Sequence, residues 1–249
     1  MTSPPTPATE RTPRRPRRTE LATLGPLAQL RAGRLPLRLT WLLVGLALYG
    51  ASMAMVLRAT LGQIPWDVFH VGLGTHLPLS FGLTVVLVGV LLLLLWIPLR
   101  QRPGIGTLCN AFLVGPSADL GLWLIPATDA LWQQILLLAG GMLLLALATG
   151  VYIAPALGPG PRDGLMQGLR RVTGWPVWLV RTLIEGSALA IGWLLGGPVG
   201  IGTVLFAFGI GPLIGLFLPW FERRRSVRAD RIRAARGMPP IDRSEHIPG

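Results

Sequence analysis

The chain has 249 residues, of which 51% are hydrophobic and only 14% charged, a balance that excludes an ordinary soluble domain. All 23 basic residues are arginines, and the net charge is +12. They lie on flanks and tails instead of one folded face, which argues against a nucleic-acid surface.

Residues 1–36 are dense in proline, threonine and arginine. They lack the apolar surface to order themselves and read as a disordered cytoplasmic tail. The string Arg17-Arg18-Thr19-Glu20-Leu21 is faintly like a twin-arginine signal. The apolar run that follows starts too late and is too long for a signal core, so it reads as a retained first span. Apolar blocks over about 37–57, 80–98, 107–125, 132–153, 177–195 and 203–220 each approach the roughly 20 residues that cross a bilayer. The expected fold is therefore an all-α membrane domain of six spans over 37–220. A basic cytoplasmic tail, 221–249, follows. Its arginines, interspersed with Val227, Ile232 and Ala235, fit either a helix lying on anionic lipid headgroups or a solvated tail that fixes topology.

The arginines also set the orientation. Eight lie at or before Arg38, two are Arg100 and Arg102, three are Arg162, Arg170 and Arg171, and eight follow the last span, whereas the alternate loops hold only Arg58. The positive-inside rule then places both termini in the cytoplasm of an inner (plasma) membrane. Asp67 and His70 fall on the outer side, and Asp163 and Arg170 on the inner.

Residues 61–116 align without gaps on 157–212 at an offset of 96, with 18 of 56 positions identical. Each copy carries three apolar spans, an odd number, so the copies (37–126 and 132–219) enter the membrane with inverted topology. Pro65-Trp66-Asp67 and Pro161-Arg162-Asp163 each place proline at a helix start and an acid where the helix dipole favours it. The two short helices that follow cannot span and are either re-entrant or interfacial. The glycines of Leu157-Gly158-Pro159-Gly160 favour re-entrance.

Gly115-Pro116 and Gly211-Pro212 interrupt the third and sixth spans, leaving the Phe112 and Phe208 carbonyls without their usual donors. Kinks at Pro116 and Pro212, with Asn110 and Asp119 nearby, point to a midplane site or simply to packing. Arg181 and Glu185 share a helix face in the fifth span, where Val85 and Gly89 stand in the first copy. They are expected either to face a cavity with Asp119 or to form a structural pair. The candidate substrate-binding set is Asn110, Asp119, Arg181, Glu185, Asp67 and Asp163.

Gly192 and Gly196, and Gly211 and Gly215, read as ridges for close helix packing. Thr107 and Thr203 in the Gly-Ile-Gly-Thr turns read as helix caps, not phosphate loops. Cys109, the lone cysteine, reads as a small packing residue. His70 and His76 are off one helical face with no cluster to complete a metal site. No nucleophile–base arrangement is visible, so no enzyme, cofactor or metal is expected.

Arg58-Ala59, Leu61-Gly62, Pro65-Trp66-Asp67, Gly72-Leu73, Gly104-Ile105-Gly106-Thr107, Asn110 and Gly158-Pro159-Gly160-Pro161-Arg162-Asp163-Gly164-Leu165-Met166 together resemble the YczE/YyaS/YitT family of bacterial integral membrane proteins, in its YczE-like actinobacterial branch. The likeness runs over about residues 38–219, with Gln63-Ile64 a departure from its pattern. It implies a multi-span inner-membrane protein, in a family where some members are linked to antibiotic production. The functional expectation is a transporter-like protein with a site between the inverted repeats. The alternatives are a non-transporting accessory or regulatory protein, for example in secondary-metabolite production, or a channel. Expected partners are the lipid bilayer, anionic headgroups at the C-tail, an unidentified small-molecule substrate and, as an open option, further copies of the chain.

Overall fold

A computed structural model describes residues 35–234, with side chains to residue 217. The expected disordered tail falls outside the described residues except at Leu35 and Pro36, which begin the first helix. The described chain is all helical, in eight elements. These are α1 (Leu35–Ala59), α2 (Pro65–Gly74), α3 (Phe81–Trp96), α4 (Ile105–Leu124), α5 (Leu131–Ile153), α6 (Pro161–Thr173), α7 (Val177–Leu194) and α8 (Ile201–Ala234).

Three of them, α1, α5 and α7, are long and apolar enough to cross a membrane by length and composition. Helix α3 is apolar but has only 16 residues, about 24 Å at 1.5 Å per residue. In α4, Asn110, Ser117 and Asp119 with three glycines dilute the apolar run. The apolar part of α8 ends near Phe217. Its backbone continues unbroken to Ala234, so no break marks the expected boundary at 220; the last residues of the basic tail, 235–249, lie outside the described residues.

Local chemistry sets the helix ends. Ser80 caps α3 by accepting from the Leu83 N–H at 3.1 Å, and Thr107 and Thr203 accept from the Gly104 and Gly200 N–H groups at 3.1 and 3.3 Å, as capping predicts. Helix α6 stops at Gly174, whose φ of 72° supplies the left-handed turn.

Helix α1 is the centre of the molecule, packed along α5 on one side and α4 on the other. Its Gly45 abuts the Tyr152 backbone, and its Gly50 abuts Val114 and Ala118. Such small residues let helix backbones approach closely where lipid supplies no hydrophobic drive. The core runs through Leu42, Leu46, Met53 and Val56 to Leu145 on α5 and Phe206 and Ile210 on α8.

The short helices cross over: α2 packs on α7 and α6 packs on α3. The contacts are reciprocal. The Gly106 N–H donates to the Leu157 carbonyl at 2.8 Å, and the Gly202 N–H to the Leu61 carbonyl at 2.8 Å. Gly62 and Gly158, at φ of 121° and 119°, shape the two connectors.

Both α4 and α8 run through their prolines. Pro116 and Pro212 are exposed, and Phe112 and Phe208 are 51% and 80% exposed, so the proline faces point outward. Of the expected glycine ridges, Gly192 lies tight against Val68 and Phe69 of α2, whereas Gly211 and Gly215 face open space.

Candidate functional site

The N-terminal ends of α2 and α6 are buried, and between them lies a cavity of about 60 Å³, room for several waters at about 10–15 Å³ each. Six helices wall it. Tyr49 and Met53 come from α1, Trp66, Asp67 and His70 from α2, and Val85, Val88, Gly89 and Leu92 from α3. Asn110, Ala111 and Val114 come from α4, Tyr152 from α5, and Arg162 and Asp163 from α6.

Each acid sits in the first turn of its short helix, where backbone N–H groups and the helix dipole favour negative charge. Asp67 is only 1% exposed. Its Oδ1 lies 3.4 Å from His70 Nδ1, while Oδ2 is buried without a hydrogen-bond partner among the described residues. His70 is held by Trp66 at 6.3 Å and by the edge of Phe81 at 6.0 Å between ring centres.

The other pole is better satisfied. Tyr152 donates to Asp163 Oδ2 at 3.2 Å, Arg162 Nη2 donates to the Tyr49 hydroxyl, and the guanidinium lies 5.8 Å over the Tyr49 ring, a cation–π distance. Tyr49 and Tyr152 meet edge to face at 5.8 Å. Burial disfavours the Arg162 charge, but Tyr49 and Asp163, then Tyr152 and Glu185, outweigh it and raise the pKa above the ordinary arginine range. The side chain stays charged.

Of the six residues expected at a site, Asp67, Asp163 and Asn110 line this cavity; Asp119, Arg181 and Glu185 do not. Asp119 is corrected to a cap between helices: its Oδ1 accepts from the Gly82 N–H at 2.7 Å and its Oδ2 from the Ser80 hydroxyl at 2.5 Å. It satisfies donors at the start of α3 that have no partner within their own helix. Arg181 and Glu185 do pair, at 3.1 Å, but on the outer face of α7, with side chains 48% and 36% exposed. They share a helix stripe with Ile184 and Ala188, which pack toward Trp66 and Val88, but neither charged side chain is part of the cavity lining. Pro116 and Pro212 contribute nothing to the lining.

Tyr49, Trp66, His70, Tyr152 and Arg162 are the cavity residues that the sequence reading left out of the site. One signal was available: the chain has only two tyrosines, both inside apolar spans instead of at the interface where tyrosine ordinarily sits. A second was the Trp66/Arg162 difference at one aligned position between shared Pro and Asp. Gln63, in the departing pair, is 3% exposed with its Oε1 unpartnered, and no pattern announced it.

The profile of a family described as "Family of unknown function (DUF6198)" matches residues 36–219. The chain is 34% identical to the uncharacterized membrane protein YczE of Bacillus subtilis (strain 168), covering 83% of this chain and 98% of that protein. It is also 34% identical to an uncharacterized protein of Haemophilus influenzae over 71% of this chain and 81% of the relative. Its identity to the uncharacterized protein YyaS of Bacillus subtilis is 29%, over 72% and 92%. No solved structure matches. Helices with so much exposed apolar surface and a relative named as a membrane protein agree on a membrane protein.

Proposed function

Because the chain belongs to the DUF6198 family, whose function is unknown, we propose its role from the geometry: a six-span inner-membrane protein of two inverted repeats that passes a small solute through the cavity between α2 and α6. The observation that carries this is Asp67, a buried carboxylate with one unpartnered oxygen, lining a cavity where two short helices begin. A group so costly to bury marks a solute path before it marks packing.

The reciprocal contacts support the inversion. Leu61 meets Gly202 as Leu157 meets Gly106, and 61 and 106 lie in one copy, 157 and 202 in the other. Residue i against j and j against i is the mark of a two-fold axis. Between units of three spans that axis lies in the membrane plane. Both termini are then cytoplasmic, and α6 enters from the cytoplasmic side.

An asymmetry supplies the way in. In the first copy α3 closes on α4 where Gly82 meets Gly115 and Gly89 meets Ala111. The aligned positions in the second copy hold Trp178, Gly211, Glu185 and Ala207. Helices α7 and α8 do not pack together as α3 and α4 do. This second seam, with tryptophan and glutamate in place of glycine, is the entry route.

Cysteine accessibility tests the reading in a Cys109→Ala background. Arg170→Cys should react only from the cytoplasmic side and His76→Cys only from outside, and Val85→Cys, on the cavity wall, should react with a small water-soluble thiol reagent. An Arg170→Cys that reacts from outside overturns the inverted frame. A Val85→Cys inert from both sides means a dry, packed interior and favours the accessory role.

A further inference from the structure

We infer that the cavity selects a small organic cation, an amine with a short apolar body. The inference rests on the cavity reading above and adds the ligand class. It follows from the charges that face the space, taken element by element. On α6, Arg162 and Asp163 offset each other. On α7, Glu185 reaches Arg162 through space but is paired with Arg181. Helix α1 contributes Tyr49, α5 Tyr152 and α4 Asn110, all uncharged as hydrogen-bonding groups, and α3 contributes only Val85, Val88, Gly89 and Leu92.

What remains is α2, with Asp67 and His70. Asp67 has only His70 near its Oδ1, and its Oδ2 is buried without a hydrogen-bond partner among the described residues. An ammonium N–H would satisfy that oxygen, and Trp66, which also lines the cavity, is the ring type that best attracts a cation. The aliphatic wall of α3 takes the apolar body.

The experiment uses the full chain in lipid nanodiscs and isothermal titration with ethylammonium and propylammonium, against acetate and ethanol as anionic and neutral controls. The ammonium ions should bind saturably and the controls should not. Asp67→Asn should weaken binding by about 10- to 100-fold, the worth of a hydrogen bond to a charged group, and Asp67→Glu should recover part of it. Should Asp67→Asn fail to insert, Val85→Phe, which enlarges an α3 wall residue without touching a charge, should block binding in its place. Acetate binding in preference to ammonium overturns the cation assignment while leaving the cavity as the site. No binding by any probe, together with an inert Val85→Cys, overturns the ligand class and the cavity reading together.

Discussion

The Gly106 amide of α4 donates to the carbonyl of Leu157, in the connector between α5 and α6, at 2.8 Å. At the same spot the fit is tight, since a β-carbon on Gly106 would stand 3.1 Å from Leu157 and 3.2 Å from the Gly158 carbonyl oxygen. Gly202 and Leu61 repeat the arrangement across the molecule. Each half thus uses its Gly-Ile-Gly-Thr turn to hold the other half's connector, and with it the start of a short helix.

Reciprocity makes a paired prediction. Gly62→Ala and Gly158→Ala each place a side chain at φ near 120°, a region open essentially to glycine alone, at a cost of about 1–3 kcal/mol. Both also crowd the opposite half, at Gly200 and at Thr107 and Gly104 respectively. The two variants should lower the melting temperature of the purified protein by similar amounts. A loss confined to one of them would mean that the two connectors are not equivalent.

The crossing of the short helices offers a second test. Trp96 on α3 fits over Gly164 of α6, and its indole N–H donates to the Pro161 carbonyl at 2.9 Å. At the aligned positions the residues are Gly192 on α7 and Val68 on α2, and Gly192 lies tight against the Val68–Phe69 backbone. Gly164→Val alone should be severely destabilising, since overpacking costs about 1–3 kcal/mol or more. Combined with Trp96→Gly it reproduces the first pairing, and a double-mutant cycle should return a coupling of about 0.5–3 kcal/mol in favour of the double variant. Additive losses would remove the packing equivalence.

Asp119 should behave as a cap. Asp119→Ala removes the acceptor for the Gly82 N–H and the exposed Ser80 hydroxyl and should cost about 1 kcal/mol, mainly for the shielded Gly82 N–H left without a partner. Asp119→Asn keeps one acceptor oxygen and should cost less. Ammonium affinity in nanodiscs should be unchanged in the Asn variant. A large loss of binding there would return Asp119 to the site.

Much of the candidate site was legible before any fold was known, but only in part for the right reason. Asp67 and Asp163 announced themselves by the shared Pro-x-Asp of the two copies, because helix starts favour proline and then an acid wherever they occur. Asn110 was named for its nearness to Pro116, and it lines the cavity although the proline does not. Arg181 and Glu185 were named because charge in an apolar helix is costly, but a helix face alone does not say which way it turns. Tyr49 and Tyr152 lie 103 residues apart in the sequence and meet only because α1 packs along α5.

Periodicity, composition and the offset of 96 therefore determined what is local or one-dimensional: helices, their starts and caps, a membrane setting and the existence of two related halves. These follow from hydrophobic length, backbone donors without partners and the steric demands of glycine and proline, all of which act within a few residues. Which surfaces meet was decided by tertiary structure alone. Small residues let backbones approach, and the choice of partner depends on how shapes fit across the molecule, as with Trp96 over Gly164. The same fit buries Asp67 at the cavity and leaves Arg181 and Glu185 out of its lining.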